Sequence, residues 1–203
     1  MARIPIPFAG PSYQSQSFLA GQERLVNWYV ERGEITGQMA LYPVPGLGFI
    51  TSTGRSNGRA HEFYDGREFA VSAGVFFEID SDGVTTFIGF VDVDSNPATI
   101  SWNGNGGGEL FITSGGNGYL YTLASGAFAS ISALTGKATM GDMLDGYFLA
   151  LDAVTGTLYS SELQDGTTWS TTTMFAQRSA KPDPWIAMKV MGQYIWLFGS
   201  ETS

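Results

Sequence analysis

Apolar residues recur along this chain in runs of about five or six, set apart by glycine-bearing turns, and no run approaches the roughly 18 residues of a membrane-spanning helix. Four runs head comparable segments: "REFAVSAGVFFEIDSDG" from Arg67, "GELFITSGGNGYLYTLASG" from Gly108, "GYFLALDAVTGTLYSSELQDG" from Gly146 and "GQYIWLFGSETS" from Gly192. In the first three, a run rich in Phe, Tyr, Leu, Ile and Val meets a turn and then a second apolar strand, which is the pattern of a β-hairpin. Ahead of each lies another strand-like segment: "RAHEFYDG" from Arg59, "ATISWNG" from Ala98, "KATMGDMLDG" from Lys137 and "WIAMKVMGQ" from Trp185. Behind each complete hairpin comes a fourth: "VTTFIGFVDV" from Val84, "AFASISAL" from Ala127 and "TTWSTTTMFAQ" from Thr167.

Four short antiparallel strands per unit predict the blade of a propeller. With Phe69, Leu110, Phe148 and Ile195 taken as equivalent, the units step by roughly 41, 38 and 47 residues, close to the span of a four-stranded blade. The expected fold is therefore all-β: a β-propeller of four-stranded antiparallel blades, about three and a half of them. A twisted sheet cannot bury both faces alone, whereas sheets stacked around an axis bury each face on a neighbour. The second strands "FAVSA", "LFITS", "FLALD" and "YIWLF" are apolar on both faces and are expected to lie buried on both sides near the central channel. The blades are expected over residues 51–203 and to continue beyond the chain end, because the fourth stops after its second strand with an unpaired edge.

Composition supports strands and narrows function. Of 203 residues, 27 are glycine and only 14% are charged, against a usual ~25%, while 43% are hydrophobic, enough for a core. The net charge of −9 repels phosphate backbones, so sequence-level nucleic-acid binding is disfavoured. With no cysteine, disulfide frameworks, thiolate zinc sites and cysteine nucleophiles are ruled out. The start "MARIPIPFAG" lacks the apolar core of a signal peptide, and a secreted or membrane-spanning protein is not expected.

Candidate chemistry is thin. Gly104, Gly106, Gly107 and Gly108 invite a phosphate-cradle reading, but they lead into the strand "ELFIT" with no following Lys and no helix, so turns are the expected role. His61, the only histidine, is expected as a strand residue, and no G-x-S-x-G elbow marks a serine nucleophile. "DVDSNP", residues 92–97, opens like a calcium loop with Asp92, Asp94 and Asn96, then fails at Pro97 and at Asn103, and reads as an inter-blade loop. Asp80 and Asp82 fit a hairpin turn. Of Trp28, Trp102, Trp169, Trp185 and Trp196 most are expected in the core, and Arg55 and Arg59 are expected as solvated loop residues. No catalytic, metal or cofactor site is expected.

Residues 1–50 do not fit the repeat and are expected to form an extended arm with one lead-in strand, "RLVNWYVE". Pro43 and Pro45 hold "YPVPGLG" extended, and Gly46 and Gly48 then allow a tight change of direction. Val26, Asn27 and Glu31, then Pro45, Gly46 and Leu47, then the loop "GRSNGRAHEFYDG" into the first hairpin, and the ending "MGQYIWLFGSETS", follow one another in an order that resembles the packaged-DNA-stabilisation proteins of short-tailed bacteriophages, the tail-hub or nozzle family. The resemblance implies a structural virion protein, not an enzyme. It would be made in the host cytoplasm and assembled as a homo-oligomeric ring in the tail. There it would extend the DNA channel below the portal and the head-to-tail adaptor, contact other tail proteins, touch double-stranded DNA transiently and help retain the genome until ejection. Family members are longer, so these residues are expected to be an N-terminal part. Two other functions remain open: a glycan-degrading propeller enzyme of a phage tail, which needs clustered acids at the channel mouth, and a peptide-binding propeller module.

Overall fold

The strands found in the computed structural model, which describes residues 27–32, 39–177 and 183–200, follow the apolar runs closely. The chain divides into two compact units, residues 1–49 and 50–203. In the first unit, β1 (Trp28–Arg32) and β2 (Met39–Pro43) form one antiparallel hairpin, with Tyr29 stacked on Tyr42 at 5.8 Å. The residues 24–26 that open the expected lead-in strand lie outside the described residues. Beyond Pro43 the chain runs without regular structure through residue 53, and neither Gly46 nor Gly48 has a positive φ. The expected tight change of direction is absent there: two prolines already fix the extended course, and among the described residues the first positive-φ glycine is Gly54.

The second unit is a series of antiparallel sheets. Sheet 1 holds β3 (Gly58–Tyr64), β4 (Arg67–Ser72), β5 (Val75–Ile79) and β6 (Thr85–Phe90), paired in that order. Sheet 2 repeats the arrangement with β7 (Thr99–Trp102), β8 (Glu109–Ser114), β9 (Asn117–Thr122) and β10 (Ala127–Ser130). A single 3-10 turn, Ser132–Leu134, leads into sheet 3: β11 (Met140–Leu144), β12 (Tyr147–Asp152), β13 (Thr157–Glu162) and an outer strand in two pieces. Those pieces, β14 (Asp165–Trp169) and β15 (Phe175–Gln177), both pair with β13, and residues 170–174 loop out between them. The unbroken strand expected from Thr167 is thus split, because Trp169 turns inward and donates Nε1–H to Gly166 O at 2.7 Å. Sheet 4 comprises β16 (Trp185–Met191) and β17 (Tyr194–Gly199).

Successive sheets pack face to face, and three apolar cores fill the three joints. Phe69, Val71 and Phe76 of sheet 1 meet Leu110, Ile112 and Tyr121 of sheet 2. Phe111 and Leu120 of sheet 2 meet Phe148 and Ala150 of sheet 3, and Leu149 and Leu151 of sheet 3 meet Met188, Ile195 and Leu197 of sheet 4. The sequence alignment slips here by one residue. Strand ends pair Ser72 with Ser114 and Asp152, so the equivalent of Phe69 is Phe111, then Leu149 and Trp196, not Leu110. A strand has period two, so that slip exchanges the faces: Leu110 looks back to sheet 1 and Phe111 looks forward to sheet 3.

The first strands β3, β7, β11 and β16 lie side by side from sheet to sheet and form the inner wall. The second strands stand one place further out. They are buried on both faces by neighbouring sheets, as in β8, and not by proximity to the axis; in β17 alternate residues are exposed. Hydrogen bonds stitch the inner wall: Ala98 N–H donates to Arg59 O, Gly141 N–H to Thr99 Oγ1 and Val190 N–H to Asp142 Oδ2, at 2.9 to 3.1 Å.

Glycine serves this packing as well as the turns. A Cβ on Gly141 would lie 2.6 Å from the Phe111 ring, and one on Gly89 would lie 2.2 Å from Phe128, so strand glycines make sockets for aromatic rings of the adjacent sheet. Of the tryptophans expected in the core, only Trp169 is buried; Trp102 and Trp185 are half-buried, while Trp28 and Trp196 are 47% and 45% exposed.

Candidate functional site

The densest polar constellation joins sheets 1 and 2. Arg59 stands on β3 with its side chain only 6% exposed, not in a solvated loop as its sequence neighbourhood suggested. Its Nε and Nη2 donate to Asn96 O at 3.0 and 2.9 Å, and Nη1 to Ser114 Oγ at 2.7 Å and Asp92 O at 3.1 Å. Nη2 also pairs with the Asp94 carboxylate, which accepts Asn96 N–H and Nδ2–H as well. From sheet 2, Asn117 Nδ2 and Tyr119 OH donate to Asp92 Oδ2 at 2.5 and 2.9 Å, and Tyr119 OH accepts Asp92 N–H. The "DVDSNP" stretch is therefore an inter-blade loop, gripped by a guanidinium on one side and a phenol on the other. Its carboxylates are already satisfied, and among the described residues no three His, Cys, Asp or Glu gather to hold a metal ion. A cleft of about 320 Å³ beside it is lined by Asn57, Arg59, Val93, Asp94 and Asn96, of which Arg59, Asp94 and Asn96 hydrogen-bond one another.

Burial raises the Tyr119 phenol above its ordinary value. The neutral phenol is thus favoured in the folded chain, and its contribution is complete below the unfolded value near 10 and fades as pH climbs through the folded one. Urea midpoints between pH 8 and 11 are expected to fall for the native chain more steeply than for Tyr119→Phe, which has no proton to lose there.

At the opposite edge of the sheets lies the glycine-rich loop. Gly107 and Gly108 donate back to Gly104 O at 3.1 and 2.9 Å, closing the loop on itself. Its interior is occupied: a Cβ on Gly107 would lie 2.1 Å from Asn103 Nδ2, and one on Gly106 2.3 Å from Gln164 Nε2. Beneath sits Glu109, 8% exposed, whose Oε2 accepts Asn103 Nδ2–H and the Gly166 N–H of sheet 3, each at 2.8 Å. A buried carboxylate is the wrong floor for a phosphate. The glycines here are structural, and Glu109 is a second latch, from sheet 2 to sheet 3.

Arg67 fills the corresponding place in sheet 1. It forks onto Glu78 at 2.6 and 2.7 Å and reaches Tyr121 OH and Leu123 O of sheet 2, and the hydrogen bond to Glu78 holds its pKa above the ordinary arginine value. His61 lies on β3 as expected, 59% exposed, with Nε2 at 2.5 Å from Glu68 Oε1. Asp80 Oδ1 accepts Asp82 N–H and Val84 N–H, which makes that stretch a turn. Arg55 is exposed before β3.

Arg67, Glu109 and Tyr119 were not legible as a set. Their signal is a polar residue at a fixed place in otherwise apolar strands: Arg67 and Glu109 both head a second strand. The inner-wall strands carry Arg59, Glu62, Asp142 and Lys189, with Lys189 Nζ 2.9 Å from Asp142 Oδ2. The wall is close to neutral, so the net charge of −9 resides mainly elsewhere.

Among solved structures, the computationally designed protein Ika4 shares 10% identity at a TM-score of 0.55, over 78% of this chain and 96% of its own. The designed Ika8 shares 11% at 0.55, over 89% of this chain and 55% of its own. Virginiamycin B lyase from Staphylococcus aureus shares 12% at 0.47, over 87% and 64%. The chain thus spans nearly all of the first design and about half of the second. No curated protein sequence matches it. The family model described as bacteriophage P22 Gp10, beta-propeller, matches residues 3–203, in agreement with the stacked four-stranded sheets. The chain belongs to this family and is a phage structural protein.

Proposed function

We propose that the chain is part of the tail hub or nozzle of a short-tailed phage: copies assembled around the tail axis extend the DNA channel below portal and adaptor and help retain the packaged genome until ejection. Residues 1–50 act as an arm toward neighbouring tail proteins, and residues 51–203 supply blades. The observation that carries this reading is the family match over residues 3–203, on a fold whose conspicuous polar residues are engaged in holding sheets together. Asp94 and Glu109 are each engaged in a joint, so neither is free to serve in the acid cluster that the glycan-degrading alternative needs.

A DNA duct must let the duplex pass. Of the five described cations in residues 50–200, Arg59, Arg67 and Lys189 are in ion pairs, so few remain to release counterions from phosphate. Affinity for duplex DNA at about 0.15 M salt is expected to be no tighter than the non-specific range of ~10⁻⁴ to 10⁻⁶ M. Fluorescence anisotropy over a salt series checks this; nanomolar binding would oppose a passive duct. The function itself is tested by deleting the gene from its phage. Filled heads that lose DNA unless the protein is added back support the reading, and infectious, DNA-retaining particles without it refute it.

A further inference from the structure

Asparagine precedes glycine four times in the chain, at Asn57-Gly58, Asn103-Gly104, Asn105-Gly106 and Asn117-Gly118. Asparagine is a thermolabile residue, and glycine has no Cβ to keep its backbone nitrogen away from the preceding side-chain amide. The fold treats the four pairs differently. Asn103 is 1% exposed; its Nδ2 donates to Glu109 Oε2 at 2.8 Å and its Oδ1 accepts Glu109 N–H at 3.0 Å. Asn117 is also held at both ends of its amide, with Nδ2 donating to Asp92 Oδ2 and Oδ1 accepting Gly136 N–H at 2.7 Å, and the Gly118 that follows is buried. Asn57 is exposed, but its carbonyl accepts Ala73 N–H at 2.9 Å and Gly58 already belongs to β3.

Asn105 and Gly106 are exposed at the tip of the loop between β7 and β8, and among the described residues neither uses its backbone N–H or C=O in a hydrogen bond. The side chain of Asn105 has one partner, and that partner favours reaction. Tyr64 O–H donates to Oδ1 at 3.2 Å, which draws electrons from Cγ and steadies negative charge developing on the oxygen.

We propose that Asn105 is a self-modification site. The Gly106 backbone nitrogen attacks Asn105 Cγ and forms a new N–C bond, and the side-chain nitrogen leaves as ammonia, taking up the Gly106 proton. Water then opens the cyclic imide at either of its carbonyls, so that aspartate or isoaspartate results. Water is the only co-reactant. Either product adds a negative charge to a chain already at −9. Isoaspartate also routes the backbone through the former side chain, and so lengthens the loop that Gly107 and Gly108 close onto Gly104 O and that packs Gly106 against Gln164, in the turn between β13 and β14. The modification thus loosens the glycine-rich loop above the latch from sheet 2 to sheet 3. It rests on the chemistry of this loop and does not depend on the tail-hub reading.

Peptide mapping by mass spectrometry tests the site, on the full 203-residue chain held at mildly alkaline pH and sampled over weeks. In the folded chain, deamidation at Asn105 is expected to outpace that at Asn103 and Asn117 at least about tenfold, because those two react only through local opening. Asn57 is expected to fall between. In concentrated urea the bonds that separate the sites are gone, and all four are expected to react at similar rates. Enzymatic methylation of isoaspartate counts the rearranged product, which is expected to accumulate in the native chain and to be largely absent from Asn105→Gln, whose longer side chain closes the ring far more slowly. Hydrogen exchange at the Gly107 and Gly108 amides is expected to quicken in the aged native chain and not in the aged variant. Asn103 or Asn117 reacting as fast as Asn105 in the folded chain would overturn the proposal. So would Asn105 remaining intact while the urea-treated chain converts, or isoaspartate accumulating equally in Asn105→Gln. Unchanged exchange at Gly107 and Gly108 would overturn the loosening of the loop.

Discussion

Phe111→Ala is expected to destabilise residues 50–203 by about 3–5 kcal/mol, the range for deleting a fully buried aromatic ring. Phe111 is 0% exposed, with ring centroids 5.4 Å from Phe148 and 5.1 Å from Trp169, and it is held in a socket made by Gly118 and Gly141. Glycine walls have no side chain that could swing into the void, so the cavity persists and the full penalty is expected. Val84→Ala, at a site 59% exposed, serves as the control and is expected to stay within about 0.5 kcal/mol. Urea unfolding followed by tryptophan fluorescence measures both. A loss below about 1 kcal/mol for Phe111→Ala would mean that sheets 2 and 3 do not depend on each other.

Arg59→Met is expected to cost about 2–4 kcal/mol, through a different mechanism. Methionine fills much of the volume but takes the guanidinium donors away from the Asp94 carboxylate, Ser114 Oγ and the carbonyls of Asn96 and Asp92; among the described residues Asp94 then keeps only Asn96, and Asp92 O only Ser114 Oγ, as a donor. The upper end of a buried-pair loss is not reached because Asp94 is 31% exposed and water can reach it. Arg59→Lys is expected to recover less than half, since one ammonium cannot span acceptors that a planar fork reaches together. Hydrogen exchange locates the effect: amides of the loop at residues 91–98 should lose protection first, while those of β12 and β13 in sheet 3 remain protected. Uniform loss across all sheets would contradict a local clamp.

Strands were legible because apolar runs bounded by glycine turns are a local property, and β3 to β13 begin and end near the predicted places. Facing was not legible. Alternation is weak in strands buried on both sides, so nothing local distinguishes Phe69 equivalent to Leu110 from Phe69 equivalent to Phe111, and only the core partners decide. The broken outer strand of sheet 3 was hidden for a similar reason, because "TTWSTTTMFAQ" has strand-forming residues throughout and the interruption depends on where Trp169 finds its acceptor.

At the candidate site, reading single residues gave the right role for the 92–97 loop and the wrong one for Arg59. Its guanidinium is useful only in relation to Asp94 and Ser114, which lie 35 and 55 positions away in the chain. Glycine shows the same limit. Its work in turns follows from local dihedral freedom, but its work as a socket at Gly141 requires knowing that the Phe111 ring arrives from another sheet. Of the tryptophans expected in the core, Trp196 ended outside it because sheet 4 exposes its forward face, and Trp28 because it stands on the two-stranded β1–β2 hairpin.

The most direct measurement is an electron cryo-microscopy map of the phage particle that carries this chain. The expected result is stacked four-stranded sheets, in several copies around the tail axis below the portal, with Arg59 and Phe111 inside the joints. Particles whose tails hold no density for these sheets, or a purified protein that never enters the virion, would contradict a structural role in the tail.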